Sequence, residues 1–336
     1  MSGLLLEVRN LVKHFPAGHG RTVKAVNDVS FHIQRGEALA LVGESGSGKT
    51  TLGRCVLKLI EPTAGAIHFR GEDIGSLGED RFRAYRPRMQ MVFQEPYDSL
   101  SPRMRIGRII GEPLRLRRDL APARRAERVA RAVDMVRLPA AALDKYPHQF
   151  SACEQQRIGI ARAIVTEPEL VVLDEPTSAL DVSVRAEILD LLTDLQTRLG
   201  FSYLFISHDL TAVRRVCDRV AVMYLGKIVE TASTAAIFER PLHPYSRALL
   251  SSVLYPDPRQ KLDRFVLTGE IPSPIDLPPG CHLYQRCPWA KAACNRAYPP
   301  LEPLLPGREV ACFQARAENG LAGAAAATEP QAVVGR

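Results

Sequence analysis

The chain is 336 residues long, 46% hydrophobic and 24% charged, which is enough apolar length for one large core plus an appendage. No stretch approaches the roughly 18 to 20 consecutive apolar residues that span a bilayer, and the opening MSGLLLEVRN carries charge too early for a secretory signal, so a membrane role has to run through partners. The formal charge of +7 is concentrated in residues 101–137, where eleven arginines face four acids; the run reads as solvated helix faces or as a surface toward anionic headgroups, and without interleaved aromatics for base stacking no nucleic-acid partner is expected.

In chain order, LLLEVRNLV, VSFHI and AIHFR alternate apolar and polar residues as antiparallel strands do. ALALV precedes a glycine loop and a helix, and MQMVF (89–93), ELVVLDE (169–175) and SYLFIS (202–207) are short apolar runs between helical patterns. This alternation predicts an α/β domain with a largely parallel sheet. Arginine, alanine and leucine at helical spacing predict an inserted helical subdomain at about 95–166. After Phe238 prolines become dense, in RPLHPYS, YPDPRQ and IPSPIDLPPG, and periodicity fades. The organisation expected is a main domain over 1–240, an extension over 241–315 and a disordered tail over 316–336.

The chemistry begins at GESGSGKTT, Gly43 to Thr51, between a predicted strand and a predicted helix. Gly43, Ser45, Gly46, Gly48 and Thr51 belong to a loop whose backbone N–H groups turn inward around phosphates. Lys49 reaches the β and γ oxygens, and the Thr50 hydroxyl can bind Mg²⁺. Far downstream, LVVLDEPTSALD ends a buried strand with two adjacent carboxylates. Beside a phosphate loop, Asp174 suits a magnesium ligand acting through water and Glu175 the base that polarises an attacking water. His208 on its own reads as a loop histidine; together with the other two motifs it reads as a γ-phosphate sensor.

At this point the chain resembles the nucleotide-binding subunit of an ATP-binding cassette (ABC) transporter over residues 4–240, a P-loop NTPase fold with an antiparallel β subdomain and an inserted helical subdomain. The resemblance rests on the phosphate loop, Gln94 in VFQEPYDSLSPRM, Asp174 and Glu175, the SALD loop from Ser178 to Asp181, and His208, all in the family's order. It implies ATP and Mg²⁺ as ligands, Gln94 as a further group near the metal, Asp181 near the nucleotide, and Phe15 in VKHFP stacking on adenine, a residue that otherwise reads as core. It also implies hydrolysis coupled to transport by two such domains, dimerised head to tail, each ATP lying between the phosphate loop of one and the signature loop of the other.

The family's signature reads Leu-Ser-Gly-Gly-Gln, and here the aligned residues are Phe150, Ser151, Ala152, Cys153 and Glu154. Ser151 and the helix N-terminus can still address a γ-phosphate. Cys153 places a Cβ and a sulfur where backbone approaches phosphate most closely, demanding room or a different φ/ψ, and Glu154 adds a carboxylate near an anionic ligand. The readings left open are tolerated drift in a working loop, a slow or non-hydrolytic site, and a reactive Cys153 thiolate. Because the signature serves the partner's ATP, a second and unlike ATPase subunit is expected, giving a heterodimer with unequal sites.

RPLHPYSRALLSSV (240–253), GCHLYQRCPWAKAAC and a last cysteine in EVACF resemble the tail of the oligopeptide/dipeptide importers, with His243, Pro244 and Tyr245 matching that branch's tripeptide. The resemblance implies peptide import, or import of related cargo such as nickel or glutathione. It also implies two transmembrane permeases, an extracytoplasmic substrate-binding protein, and a peripheral place on the cytoplasmic face of the inner membrane. A regulatory subunit with little hydrolysis and a soluble, non-transport ABC ATPase are the alternatives. Cys281, Cys287, Cys294 and Cys312 are separated by five, six and seventeen residues, not by the paired spacing of common zinc sites. Four thiolates could hold a 4Fe–4S cluster, as some relatives do; zinc, or plain structural cysteines, are the other readings.

Overall fold

The structure is a computed structural model that describes residues 3–95, 99–117, 119–252 and 265–319. Strands β1 (Leu4–Pro16), β2 (Thr22–Gln34), β4 (Ala64–Phe69) and β5 (Glu72–Asp73) form an antiparallel sheet in the order β2-β1-β4-β5. The second sheet takes β3 (Ala38–Val42), β6 (Met89–Val92), β7 (Leu170–Asp174), β8 (Ser202–Ser207), β9 (Arg219–Tyr224), β10 (Lys227–Ser233), β11 (Glu302–Leu305) and β12 (Arg308–Val310). Its order is β11-β12-β10-β9-β3-β8-β7-β6, parallel from β9 through β6 and antiparallel beyond β9.

The middle strands are apolar from end to end because both faces are covered. Every residue of β3, β7 and β8 is buried. The pleat still divides them: Ala38, Ala40, Val42, Val171, Leu173, Tyr203 and Phe205 enter one core, and Leu39, Leu41, Leu170, Val172, Leu204 and Ile206 the other. The second core closes against helix α1 (Lys49–Val56) and the antiparallel sheet, through Leu52, Cys55, Leu6 and Val29. The first closes against the helices Ile106–Gly111, Pro122–Met135 and Ala152–Ile164 through Ile106, Ile109, Ile110, Val133 and Ile158. These helices carry the arginine-rich segment, whose Arg128 pairs with Glu167 at 3.0 Å.

The parallel strands all end at one edge of the sheet, and the segments leaving β3, β6, β7 and β8 carry the phosphate loop, Gln94, Glu175 and His208. Ligands of open parallel sheets bind at that edge.

The boundary expected near residue 240 is crossed by the main sheet. Strand β12 adds to β10 through Glu230↔Val310 and Thr231↔Glu309. Glu230 is fully buried and accepts from the N–H groups of Leu242 at 3.0 Å and His243 at 2.9 Å, and from Arg308 at 3.0 Å. His243 then caps the helix Pro244–Ser251, its Nδ1 accepting the Tyr245 N–H at 3.1 Å, with Pro244 in the first turn where a missing N–H costs nothing. The tail expected to be disordered over 316–336 begins inside the helix Phe313–Glu318, and positions 320–336 lie outside the described residues.

Candidate functional site

The loop after β3 has its shape set by contacts no side chain could share. A Cβ on Gly48, whose φ is +104°, would lie 2.0 Å from the Ala25 carbonyl oxygen, and one on Gly43 would lie 2.1 Å from that of Met223. Helix α1 therefore starts against the neighbouring backbone, with its free N–H groups facing the loop. Lys49 folds back along it, donating to the carbonyls of Gly43 at 2.8 Å and Glu44 at 2.9 Å. Burial pulls the Lys49 ammonium below its usual pKa, and the carboxylates of Glu175, Asp174 and Glu44 counter this.

Thr50 donates its hydroxyl to Asp174 Oδ1 at 2.8 Å, so the two expected magnesium ligands touch across the sheet edge. Asp174 is almost wholly buried, and desolvation raises its pKa against the opposing hydrogen bond from Thr50. The next residue turns outward: Glu175 has a φ of +48°, a left-handed conformation rare for a non-glycine residue, and its N–H donates to the Ile206 carbonyl at 2.9 Å. That turn brings the carboxylate between two partners. Gln94 Nε2 donates to Glu175 Oε2 at 3.2 Å, and His208 Nδ1 lies 3.1 Å from Oε1.

A cavity of about 480 Å³ opens over these groups, lined by Ser45, Gly46, Gly48, Lys49, Thr50, Thr51, Gln94, Glu175 and His208. The size is in the range of small-molecule sites. Phe15 is not among its walls, but it pairs with Val23 across the β1–β2 ladder, and Val23 is. Ser151 and Asp181 are exposed and do not line it. Other contributors escaped the motif reading: Val23, Ala25, Glu44 and Pro274 as walls, and buried Ser47, whose carbonyl accepts the Gly226 N–H at 3.0 Å.

The signature segment forms its own local structure. Ser151 caps the helix Ala152–Ile164 in a reciprocal box with Glu154. The Ser151 hydroxyl donates to Glu154 Oε2 at 2.8 Å, its N–H donates to the same oxygen at 2.9 Å, and the Glu154 N–H returns to Ser151 Oγ at 3.3 Å. The Ser151 N–H, and then its hydroxyl, hold the Glu154 carboxyl below the usual range. Cys153 falls in the first helical turn and is not among the residues with positive φ, so the unusual backbone expected of it does not arise.

The four late cysteines line one small apolar cavity of about 20 Å³ together with His243, Leu283, Trp289 and Gln314. All four are free thiols, and burial pushes Cys281 up to about 12 and Cys287 up to about 11. Among the described residues no group of three or more His, Cys, Asp or Glu side chains stands at metal-holding separation.

Residues 26–178 match the ABC transporter family model, and 229–294 match the oligopeptide/dipeptide transporter C-terminal region. A Brucella ovis protein named as a candidate peptide import ATP-binding protein is 51% identical, with 92% of this chain and 98% of that one covered. The oligopeptide transport ATP-binding protein AppF of Bacillus subtilis is 45% identical, covering 92% of this chain and 96% of its own. Among solved structures, a dimeric ATP-binding cassette in a post-hydrolysis state with ADP and Pi superposes with a TM-score of 0.63 at 26% identity, covering 68% of this chain and 99% of that one. Part of the cbiONQ transporter complex, cbiO1 of Clostridium perfringens, gives 0.63 at 27% identity, covering 70% and 91%. The chain belongs to the ABC transporter ATPase family, in the branch that carries the oligopeptide/dipeptide transporter C-terminal region.

Proposed function

We propose that this chain is the ATP-hydrolysing subunit of a peptide importer, paired with a second, unlike ATPase and seated peripherally on the cytoplasmic side of two permeases that an extracytoplasmic binding protein supplies. The observation that carries this reading is the convergence of Lys49, Thr50, Gln94, Glu175 and His208 on one cavity, with Asp174 hydrogen-bonded to Thr50 beneath it, while Ser151 caps a separate helix. Thr50 and Asp174 are the pair that would hold Mg²⁺, which would supply positive charge to offset that of the phosphates. Lys49 adds a cation at the phosphates. Glu175, in contact with Gln94 and His208, would take the proton of the water that attacks the γ-phosphorus.

The signature supports the unequal pair. In a head-to-tail dimer Ser151 would donate to the partner's γ-phosphate, yet its hydroxyl and N–H are both held by the Glu154 carboxylate. The site completed by this loop is the weak one, and the site containing this chain's Glu175 the competent one. In the assembled transporter, Glu175→Gln is expected to abolish about 10²-fold or more of the ATPase rate, the range for a lost general base. Equal rates for wild type and variant would remove Glu175 from that role and favour a regulatory subunit.

The cysteine cavity we assign to a 4Fe–4S cluster held by Cys281, Cys287, Cys294 and Cys312. The support is chemical: four free thiols line one apolar cavity, and an iron centre would bind such groups as thiolates. Iron and acid-labile sulfide analysis of anaerobically purified protein tests the assignment, with about four of each per chain expected for such a cluster.

A further inference from the structure

Glu44, the second residue of the phosphate loop, has both its main chain and its side chain committed to residues more than 200 positions away. Its N–H donates to the Tyr245 hydroxyl at 2.7 Å. Tyr245 is wholly buried and locked against Tyr224, their ring centroids 4.5 Å apart. The Glu44 carboxylate accepts from Arg286 Nη1 at 3.3 Å, and the same nitrogen donates to Tyr224 Oη at 3.3 Å. A third segment also reaches the cavity: Pro274 is a wall, and its carbonyl accepts the Lys24 N–H at 3.1 Å.

We infer that Tyr245 and Arg286 are positioning residues for ATP: the C-terminal extension sets the conformation of the phosphate loop through Glu44, so the nucleotide site is not complete within residues 1–240. This rests on the nucleotide-site reading above. A phosphate cradle works through N–H groups whose directions are set before the ligand arrives, and a loop released from its anchors has to be ordered at the ligand's expense. The ring–ring contact beneath Tyr245 and the shared donor of Arg286 make the two anchors one unit. That unit touches the cysteine cavity. Arg286 directly precedes Cys287, and His243, which takes the Tyr245 N–H, is a wall of the cavity.

The test uses the assembled transporter and reads KM for ATP separately from kcat. Tyr245→Phe keeps the ring and removes one buried hydrogen bond, which is expected to raise KM about three- to tenfold with kcat within about twofold. Arg286→Gln is expected to do the same and Arg286→Lys to recover part of the loss. Combining Arg286→Gln with Glu44→Gln should give no further rise, since both remove one interaction. Lys49→Ala serves as the control for the site itself. If Lys49→Ala abolishes ATP binding while Tyr245→Phe and Arg286→Gln leave KM unchanged, or if the Arg286 and Glu44 effects simply add, the inference fails and the site reading stands. If Lys49→Ala binds ATP normally, the site reading fails. Should Tyr245→Phe not fold, the Arg286 series decides alone.

Discussion

Glu154 lies where it would oppose a phosphate bound by Ser151, and the size of that opposition follows from the geometry. The Ser151 hydroxyl sits 2.8 Å from Glu154 Oε2. A phosphate oxygen accepting from the same hydroxyl would lie about 2.8 Å on its other side, so the two anionic oxygens can be no more than about 5.6 Å apart. Two unit charges at that distance repel by about 0.7 kcal/mol in water and about 3 kcal/mol at an effective dielectric of 20. Glu154 is only half-buried, so the open loop sits near the lower figure and the closed dimer moves toward the higher. An intermediate value of about 1.4 kcal/mol is tenfold in binding. Glu154→Gln keeps the capping box, because glutamine serves as well as glutamate at that position, so the helix start is retained while the charge is lost. The measurement is steady-state ATPase activity in a transporter whose copy of this chain also carries Glu175→Gln, leaving turnover only at the site served by this signature. KM for ATP there is expected to fall about tenfold. An unchanged or higher KM would refute the electrostatic argument, because the hydroxyl would then have been available all along.

Three further outcomes are expected. Burial lowers His243 to about 3 and His282 to about 4, so both are neutral in the fold. As pH falls below the unfolded histidine value of about 6.5 the unfolded chain takes protons first, and stability present above that pH is lost toward the folded values, about 2 kcal/mol for each at pH 5. His243→Asn keeps an acceptor at the helix cap and removes one titration, so urea midpoints measured from pH 7.5 to 5 should show a shallower decline than in the wild type. Arg308→Met strands the Glu230 carboxylate in a fully buried position and should cost about 3–5 kcal/mol, read as a lower unfolding midpoint or as new proteolysis after residue 240, with Glu230→Gln added to it restoring much of the loss. Gly48→Ala forces a Cβ to within 2.0 Å of the Ala25 carbonyl at a φ of +104°, so equilibrium binding should show ATP affinity lost even where the chain folds.

The groups gathered at the sheet edge were legible because each is written locally. GESGSGKTT follows a strand and opens a helix, and Asp174, Glu175 and His208 stand at or just past strand ends, so a parallel sheet alone brings them to one edge. Signals were also present and underread. Ser151 and Glu154 are the first and last residues of a capping-box pattern, which explains where the carboxylate goes better than proximity to ATP does. In DRVAVMYLGKIVE the apolar runs VAVMY and IV on either side of Leu225–Gly226 mark β9 and β10 joined by a tight turn, and Gly226 in turn supports Ser47.

By itself, the sequence determined the cassette: short, continuous apolar runs between helical patterns read as strands buried on both faces, and the glycines and lysine of the loop point to a phosphate ligand. Only the tertiary structure decided what the proline-rich segment after residue 240 does. No local pattern records that Tyr245 and Arg286 meet Glu44, or that β12 takes the free edge of β10, because such contacts depend on where distant backbone is carried once the sheet has formed. An unpaired strand edge and a loop N–H need partners, yet hydrogen-bonding groups recur at every residue, so only the folded geometry chooses among them.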